Sequence, residues 1–278
     1  MCPVQPTCLG CSVMTDTPTQ VVVNHSPEGL VTLTLNYPER RNTMSAEMTS
    51  AWKAAIAEIA VEPRARAVLV IGSGSAFCAG GDLSWIGGDP DATVAQLRAK
   101  MLPFYRAWLS IRDLEIPTMA AINGPAVGAG AAIALACDVR VASPSARFAV
   151  PFAHLGLHPG MATTALLREV AGVAVARDLL LTGRSVTAAE MLRMGIVTDV
   201  LEEGDFAAAA HERAARMAAA APLASRLTKV ALARDTPGSV TDAIAWEGLA
   251  QPITMATEDV HRGLAAARER RTPEFRGD

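Results

Sequence analysis

Runs of hydrophobic residues divide the first part of the chain into short, buried elements. β-Branched stretches at residues 21–23 and 31–35 flank the turn Ser26-Pro27-Glu28-Gly29, and this pattern predicts a hairpin. Ser45 suits the N-cap of a helix reaching about residue 60. Residues 67–71 are all apolar, as is typical of a strand covered on both faces.

The later pattern mixes strands and helices and then becomes almost entirely helical. Helices are predicted at residues 91–112 and 131–136, the second entered through a glycine-rich turn, and short strands at 118–122, 139–142 and 147–150. From Met161 onward the pattern is helical, with breaks at Gly183, Gly204, Pro222, Pro237 and Pro252. Strands interleaved with helices and followed by a helical section predict an α/β fold.

Composition and charge exclude several classes of partner. The 278 residues are 50% apolar but include only 6 Phe, 4 Trp and 2 Tyr, so the core is expected to be aliphatic. The net charge is −3, and Arg268-Glu269-Arg270-Arg271 is the one notable basic cluster, which argues against a nucleic-acid partner. The apolar stretches are short and broken by glycine and proline, so no membrane partner is expected either.

The cysteines predict neither a metal site nor export. Cys8-x-x-Cys11 has no second such pair and no nearby histidine to complete a metal site. The N-terminus lacks a basic region followed by a long apolar run, so it does not resemble a secretory signal. Five cysteines without export fit reduced thiols, and we expect a cytoplasmic protein.

Familiar catalytic motifs are absent or broken. Gly72-Ser73-Gly74 follows a strand, but Phe77 occupies the third glycine position of a dinucleotide-binding fingerprint. His154 and His158 have the spacing of two zinc ligands on a helix, but Gly156 and Pro159 disfavour that helix. No GxSxG elbow and no phosphate-binding P-loop occurs.

Two glycine-rich segments are more informative. One, residues 75–85, follows a buried strand; the other, residues 123–130, precedes a helix. Glycines allow a ligand to approach the backbone closely, and a helix N-terminus offers N–H groups without intrahelical acceptors. Two such segments can point two N–H donors at one carbonyl oxygen, which is an oxyanion hole. From glycine spacing alone, two tight structural turns remain the alternative.

Several motifs, in order along the chain, carry a family resemblance: Leu35-Asn36-Tyr37-Pro38-Glu39-Arg40-Arg41-Asn42, Ala76-Phe77-Cys78-Ala79-Gly80-Gly81-Asp82-Leu83, Ala121-Ile122-Asn123-Gly124-Pro125-Ala126-Val127-Gly128-Ala129-Gly130, Ala136-Cys137-Asp138-Val139-Arg140-Val141-Ala142, Leu155-Gly156-Leu157-His158-Pro159-Gly160, Leu181-Thr182-Gly183-Arg184 and Arg271-Thr272-Pro273-Glu274-Phe275. Together they resemble the enoyl-CoA hydratase/isomerase, or crotonase, family. The resemblance covers nearly the whole chain from about Val21.

The resemblance implies an α/β, crotonase-like spiral of ββα units with a C-terminal helical region that builds a homotrimer or a dimer of trimers. With it we expect a flexible extension at residues 1–20, the spiral core at 21–210 and the helical region at 211–278. It also implies an acyl-CoA thioester ligand in fatty-acid metabolism, with coenzyme A as part of the substrate and no separate cofactor.

The resemblance also assigns roles to residues. The oxyanion-hole N–H groups would belong to Gly81 and Ala129. The residues implied to contact the coenzyme A and acyl groups are Gly81, Asp82, Leu83, Ser84 and Trp85.

The sequence departs from the family where acid–base chemistry is expected. The two glutamates of the hydratases fall on Ala132 and Phe152, and neither side chain can transfer a proton. The aspartate that some isomerases and synthases of the family use falls near Pro159–Gly160 and is missing. His154 and His158 lie on the segment that normally carries the second glutamate, and either is a candidate proton shuttle. The alternative is that His158 caps a turn and His154 lies at the rim.

Two functions therefore stay open. One is a hydratase, isomerase or lyase that uses groups other than the glutamates. The other is an acyl-CoA-binding protein without turnover, acting as a carrier, sensor or partner. The replacement of both glutamates weakens the first, whereas an oxyanion hole would serve both.

Overall fold

The computed structural model describes residues 19–82, 84, 91–202, 204–233 and 240–278. Its main sheet has six strands in the order β1-β2-β3-β4-β6-β9. Strand β1 is antiparallel to β2, and each following neighbour is parallel to the one before it. The six are β1 Val21–His25, β2 Leu30–Leu35, β3 Ala67–Gly72, β4 Thr118–Ile122, β6 Val139–Ala142 and β9 Asp199–Val200.

A smaller sheet lies beside the main one. It joins β5, β7 and β8, with β5 parallel and β8 antiparallel to the central β7. Its strands are β5 Pro125–Val127, β7 Arg147–Ala149 and β8 Ser185–Thr187. The mixture of helices with two sheets bears out the predicted α/β class.

Helices follow most of the strands in the described part of the chain. They are α1 Ala46–Val61, α2 Val94–Leu109, α3 Ala129–Ala136, α4 Thr163–Thr182, α5 Ala188–Arg193, α6 Phe206–Ala218, α7 Pro222–Leu232, α8 Val240–Met255 and α9 Glu258–Glu269. Short 3-10 turns lie at Pro38–Arg40, Ser110–Asp113 and Phe152–Leu155.

Most local predictions are confirmed. The hairpin is β1 and β2, and Ser45 caps α1 by accepting a hydrogen bond from the N–H of Met48 at 3.0 Å. Gly183 ends α4 in the left-handed conformation, and Pro222 begins α7 at a position where a missing N–H costs nothing.

Several local predictions are wrong. The part of the chain after Met161 is predicted to be helical, but it contains the strands Ser185–Thr187 and Asp199–Val200. The predicted break at Pro237 lies outside the described residues.

The turn predicted at residues 124–130 contains the strand Pro125–Val127, and helix α3 begins at Ala129 rather than at residue 131. Pro125 is tolerated because it is the first residue of its strand. Pro252 lies inside α8 instead of ending it. That helix has no buried residue, so water can bind the carbonyl that the proline leaves without a partner.

Both faces of the main sheet are covered. In β3, Val68 and Val70 join the large core packed under α1 to α5, whereas Ala67 and Leu69 face α6 on the other side. This alternation follows from the two-residue period of a strand. The predicted region boundary between residues 210 and 211 lies inside α6, and the division of the chain there stays a prediction.

An ion pair between buried Lys229 and exposed Asp138 joins the sheet to the C-terminal helices. The Asp138 carboxylate accepts hydrogen bonds from the N–H and hydroxyl of Thr118, at 2.7 and 2.9 Å. It also lies 2.9 Å from the ammonium of Lys229 on α7, which donates to the Ile116 carbonyl as well. Asp138 therefore links the starts of β4 and β6 to α7.

Candidate active site

The two glycine-rich segments meet because they follow neighbouring strands. Strands β3 and β4 are adjacent and parallel, so the segments after Gly72 and Ile122 leave the sheet at the same edge. Ligand sites of open α/β sheets form at this edge. The segments run parallel: the N–H of Cys78 donates to the Pro125 carbonyl at 3.1 Å, and that of Val127 donates to the Cys78 carbonyl at 3.0 Å.

Gly80 is one of the glycines at which the two backbones approach closely. Its φ is +96°, a conformation that favours glycine. A methyl group added there would lie 2.6 Å from the Val127 carbonyl oxygen and 3.4 Å from the nitrogen of Ala129. The approach brings the segments of Gly81 and Ala129 side by side, and the predicted role of these two residues as donors stays a prediction.

Both candidate donors lack an acceptor within the described residues. Ala129 is the first residue of α3, with Gly128 as its N-cap, so its N–H has no partner inside the helix. The Gly81 N–H donates in none of the backbone hydrogen bonds described for this part of the chain. The two N–H groups therefore lie on adjacent segments without a described acceptor.

Two asparagine side chains hold the first segment in shape. Buried Asn42 donates to the carbonyls of Ser73, Ala76 and Phe77 at 2.9, 2.8 and 3.2 Å, and its side-chain oxygen accepts the N–H of Tyr37 at 2.8 Å. Asn123 accepts the N–H of Gly72 at 3.1 Å and donates to the Gly74 and Ala76 carbonyls. The motifs quoted above contain both asparagines, but only the structure shows what they do.

Ala132 and Phe152, which are predicted to replace the two glutamates, both pack against apolar side chains. Ala132 is fully buried one turn into α3, where its N–H donates to the Gly128 carbonyl at 3.0 Å. Phe152 is half-buried, and its Cζ lies 3.9 Å from the place a methyl group on Gly128 would occupy. An aromatic ring therefore lies beside the candidate donors.

The histidines lie on the exposed segment after β7. The His154 ring packs on Gly183: a methyl group added at that glycine would lie 3.0 Å from Nε2 of the ring. His158 Nδ1 is 2.8 Å from the Pro159 carbonyl, and because a carbonyl only accepts, Nδ1 carries the proton. The neutral ring then has a free lone pair on Nε2. Among the described contacts, none joins either imidazole to the candidate donors.

The proposed coenzyme A residues are described only in part. Asp82 accepts hydrogen bonds from the N–H and the hydroxyl of exposed Ser84, at 2.9 and 2.6 Å, which fixes the turn after Gly81. Leu83 and Trp85 lie outside the described residues. Their predicted roles stay predictions.

The buried cysteines take no part in this chemistry. Burial raises the pKa of the Cys78 and Cys137 thiols to about 12, so both are protonated at neutral pH. Within the described ranges, no three His, Cys, Asp or Glu side chains cluster closely enough to hold a metal ion. In the same ranges no helix is long and apolar enough to cross a membrane.

Comparison with known proteins identifies the family. The sequence profile of the enoyl-CoA hydratase/isomerase family matches residues 25–278. The chain belongs to the enoyl-CoA hydratase/isomerase family. The solved structure of an enoyl-CoA hydratase from Bacillus anthracis superimposes with a TM-score of 0.86 and 31% identity, over 93% of this chain and 100% of the other.

Relatives within this family act on different thioesters, to judge from their names. The Mycobacterium tuberculosis protein named "Probable enoyl-CoA hydratase" is 42% identical over 214 residues, 75% of this chain and 80% of that protein. The (E)-benzylidenesuccinyl-CoA hydratase of Thauera aromatica is 36% identical, over 88% of this chain and 94% of its own length. The 1,2-epoxyphenylacetyl-CoA isomerase of Escherichia coli is 31% identical, over 93% and 99%.

Proposed function

We propose that this family member binds the thioester of an acyl- or enoyl-CoA and polarises its carbonyl with the N–H groups of Gly81 and Ala129. The observation that carries the proposal is the approach of the two backbones at Gly80, which brings a helix-start N–H beside the Gly81 segment. The names of the hydratase from Thauera aromatica and the isomerase from Escherichia coli both specify coenzyme A thioesters as substrates.

The two N–H donors would stabilise negative charge and would not themselves transfer a proton. When a proton leaves the α-carbon, or a nucleophile adds at the β-carbon, negative charge collects on the thioester oxygen. Two backbone N–H groups stabilise that charge, and they need no rearrangement to do so because paired backbone holds them. Removing one such donor costs other enzymes roughly 3–4 kcal/mol in the barrier.

Proton transfer must come from groups other than residues 132 and 152. His158 is the candidate that the geometry supports better, because its Nδ1 contact leaves Nε2 as a proton acceptor, whereas the His154 ring packs against a turn. Replacing His158 by glutamine is expected to abolish any hydration while leaving thioester binding intact. Unchanged turnover would remove His158 from the mechanism.

The polarisation is testable without turnover. Hydrogen bonds to the carbonyl of a conjugated thioester move its absorption to longer wavelength, so bound cinnamoyl-CoA should show a red shift. Ala129→Pro deletes one donor at a helix position where proline is tolerated, and we expect it to reduce or abolish the shift. Val94→Pro is the matched control, because exposed Val94 is the first residue of α2.

The outcomes separate binding from catalysis. A red shift that survives Ala129→Pro, or no binding of cinnamoyl-CoA, would refute the proposed donor pair. Hydration of crotonyl-CoA, followed by loss of its conjugated absorbance, would show that the family chemistry proceeds without the two glutamates. A red shift without hydration would instead support the acyl-CoA-binding alternative.

We also propose that the C-terminal helices contact further copies of the chain, as the family resemblance implies. Helix α8 exposes several large apolar side chains: Val240, Ile244, Leu249, Ile253 and Met255. Burial of such a row against a second copy removes apolar surface from water. Sedimentation of a monomer at micromolar concentration would overturn this, and the expected cytoplasmic location stays a prediction.

A further inference from the structure

Tyr105 brings a hydroxyl group to the segment that also carries Phe152. It lies on α2, half-buried against the large core, next to buried Phe104. A methyl group added at Gly160 would lie 2.5 Å from the Tyr105 hydroxyl oxygen and 3.0 Å from its Cζ. The tip of the tyrosine therefore occupies the space that any other side chain at position 160 would fill.

This hydroxyl has no hydrogen-bond partner among the described residues, although a phenol can both donate and accept. Its ring is surrounded by apolar side chains, and desolvation raises the pKa of Tyr105 above the ordinary tyrosine value. The group is therefore a neutral donor throughout the physiological range. Tyr105 is only half-buried and its hydroxyl oxygen is not sealed from solvent, so water or a ligand can pair with it.

The segment that Tyr105 contacts at Gly160 begins beside the candidate oxyanion hole. Phe152 lies beside Gly128, and its carbonyl accepts the N–H of Leu157 at 3.0 Å, which folds residues 152–157 into a compact turn. Three residues further along, Gly160 contacts Tyr105. Residues 152–160 thus run from the aromatic ring beside Gly128 to the glycine that the phenol contacts.

We propose that the Tyr105 hydroxyl donates a hydrogen bond to an oxygen atom on the acyl group, and so selects oxygen-bearing acyl-CoA thioesters over plain hydrocarbon ones. The inference rests on the proposed binding of acyl-CoA and adds a specificity determinant at the far end of the same site. An apolar site with one neutral donor favours an uncharged acceptor, such as a hydroxyl, carbonyl or ether oxygen, over a carboxylate.

The test compares acyl groups that differ by one oxygen. Calorimetric titration measures the dissociation constants of hexanoyl-CoA and of its 4-, 5- and 6-hydroxy derivatives. We expect the wild-type protein to prefer at least one hydroxy derivative by about fivefold to tenfold, the range of a neutral hydrogen bond. Tyr105→Phe should lose that preference while its affinity for hexanoyl-CoA stays the same.

Two further variants test whether the loss of preference comes from the position of the Tyr105 hydroxyl. Gly160→Ala keeps the phenol but pushes its tip aside, so it should lose the same preference without loss of a tyrosine. Tyr37→Phe removes the hydroxyl of the other tyrosine in the chain and should keep the preference. Circular dichroism shows whether each variant is folded.

The proposed binding of acyl-CoA and the proposed role of Tyr105 are refuted by different results. If wild-type protein binds none of the four thioesters, the proposed function falls and this inference falls with it. If hexanoyl-CoA binds but no hydroxy derivative is preferred, or the preference survives Tyr105→Phe, only the role of Tyr105 is refuted.

Discussion

Replacing Asn42 tests whether one buried amide shapes the loop that carries Gly81. In Asn42→Ala, the Tyr37 N–H and three carbonyls lose their partner in a site that water does not reach. Counting only the three hydrogen bonds of 2.8 to 2.9 Å, at about 1 kcal/mol each, gives about 3 kcal/mol. Asn42 also has a φ of +55°, where alanine is less favourable by about 1 kcal/mol. We therefore expect a loss of about 4 kcal/mol in the free energy of unfolding.

Urea unfolding followed by tryptophan fluorescence measures this loss, because Trp52 and Trp108 stack in the core with ring centroids 4.8 Å apart. Asn36→Ala is the matched control, since that side chain makes a single exposed hydrogen bond, at 3.2 Å, and should change stability by less than about 1 kcal/mol. A loss below about 1 kcal/mol in Asn42→Ala would refute the reasoning.

Asn42→Asp sharpens the test through its pH dependence. The new carboxyl group would face three carbonyl oxygens, so burial and repulsion would raise its pKa in the folded state. An acid whose folded pKa is raised favours unfolding as pH rises above its unfolded value of about 3.9. The variant should therefore be more stable, relative to wild type, at pH 5 than at pH 8. The opposite order would show that the amide donors do not matter.

Three more substitutions or modifications probe the same scaffold. Gly80→Ala should lower the free energy of unfolding, measured by urea titration, by more than about 2 kcal/mol. The added methyl group would clash with the Val127 carbonyl, and the residue would have to keep a positive φ. Gly248→Ala, where nothing lies near the added methyl group, should be neutral or stabilising. Iodoacetamide at pH 8 should leave Cys78 and Cys137 unmodified in the native protein, because burial raises both thiol pKa values to about 12. In guanidinium both should be labelled, and peptide mass spectrometry measures the labelling. Lys229→Met should cost about 1 kcal/mol in urea unfolding, because its carboxylate partner loses a counter-ion but keeps its contact with water and two hydrogen bonds from Thr118.

Each of these has a result that contradicts it. Equal stability of the two glycine variants would mean that the close approach at Gly80 is not tight. Labelling of either native cysteine at pH 8 would show that the thiols are reachable and ionised. An unchanged midpoint in the lysine variant would show that the ion pair contributes nothing measurable.

Local signals in the sequence predicted the elements that local interactions stabilise. The β-branched runs of β1 and β2 and the cap at Ser45 act within a few residues, so their bounds could be predicted closely. The two-residue strand β9 and the three-residue strand β8 exist only because they pair with distant strands, and no local pattern marks them. No break is predicted at Gly172 either, where non-helical dihedral angles interrupt α4.

The candidate site divides in the same way. The glycine segments could be predicted because glycine marks close backbone approach, and their meeting follows from adjacent parallel strands. The proposed role of Tyr105 could not be predicted from the sequence, because it lies mid-helix in a segment without a motif. Its link to the site is its contact with Gly160, which has no side chain. Tertiary packing alone makes Tyr105 notable.

The paired backbone at Cys78 and Val127 has a consequence for how such a protein can change over generations. Both proposed donors are main-chain groups, so every coding change at Gly81 or Ala129 except one to proline leaves the N–H in place. Proton-transferring groups are side chains, and a single codon change can erase one. A lineage can therefore exchange or discard its acids and bases repeatedly and still inherit the means of holding charge on a carbonyl oxygen.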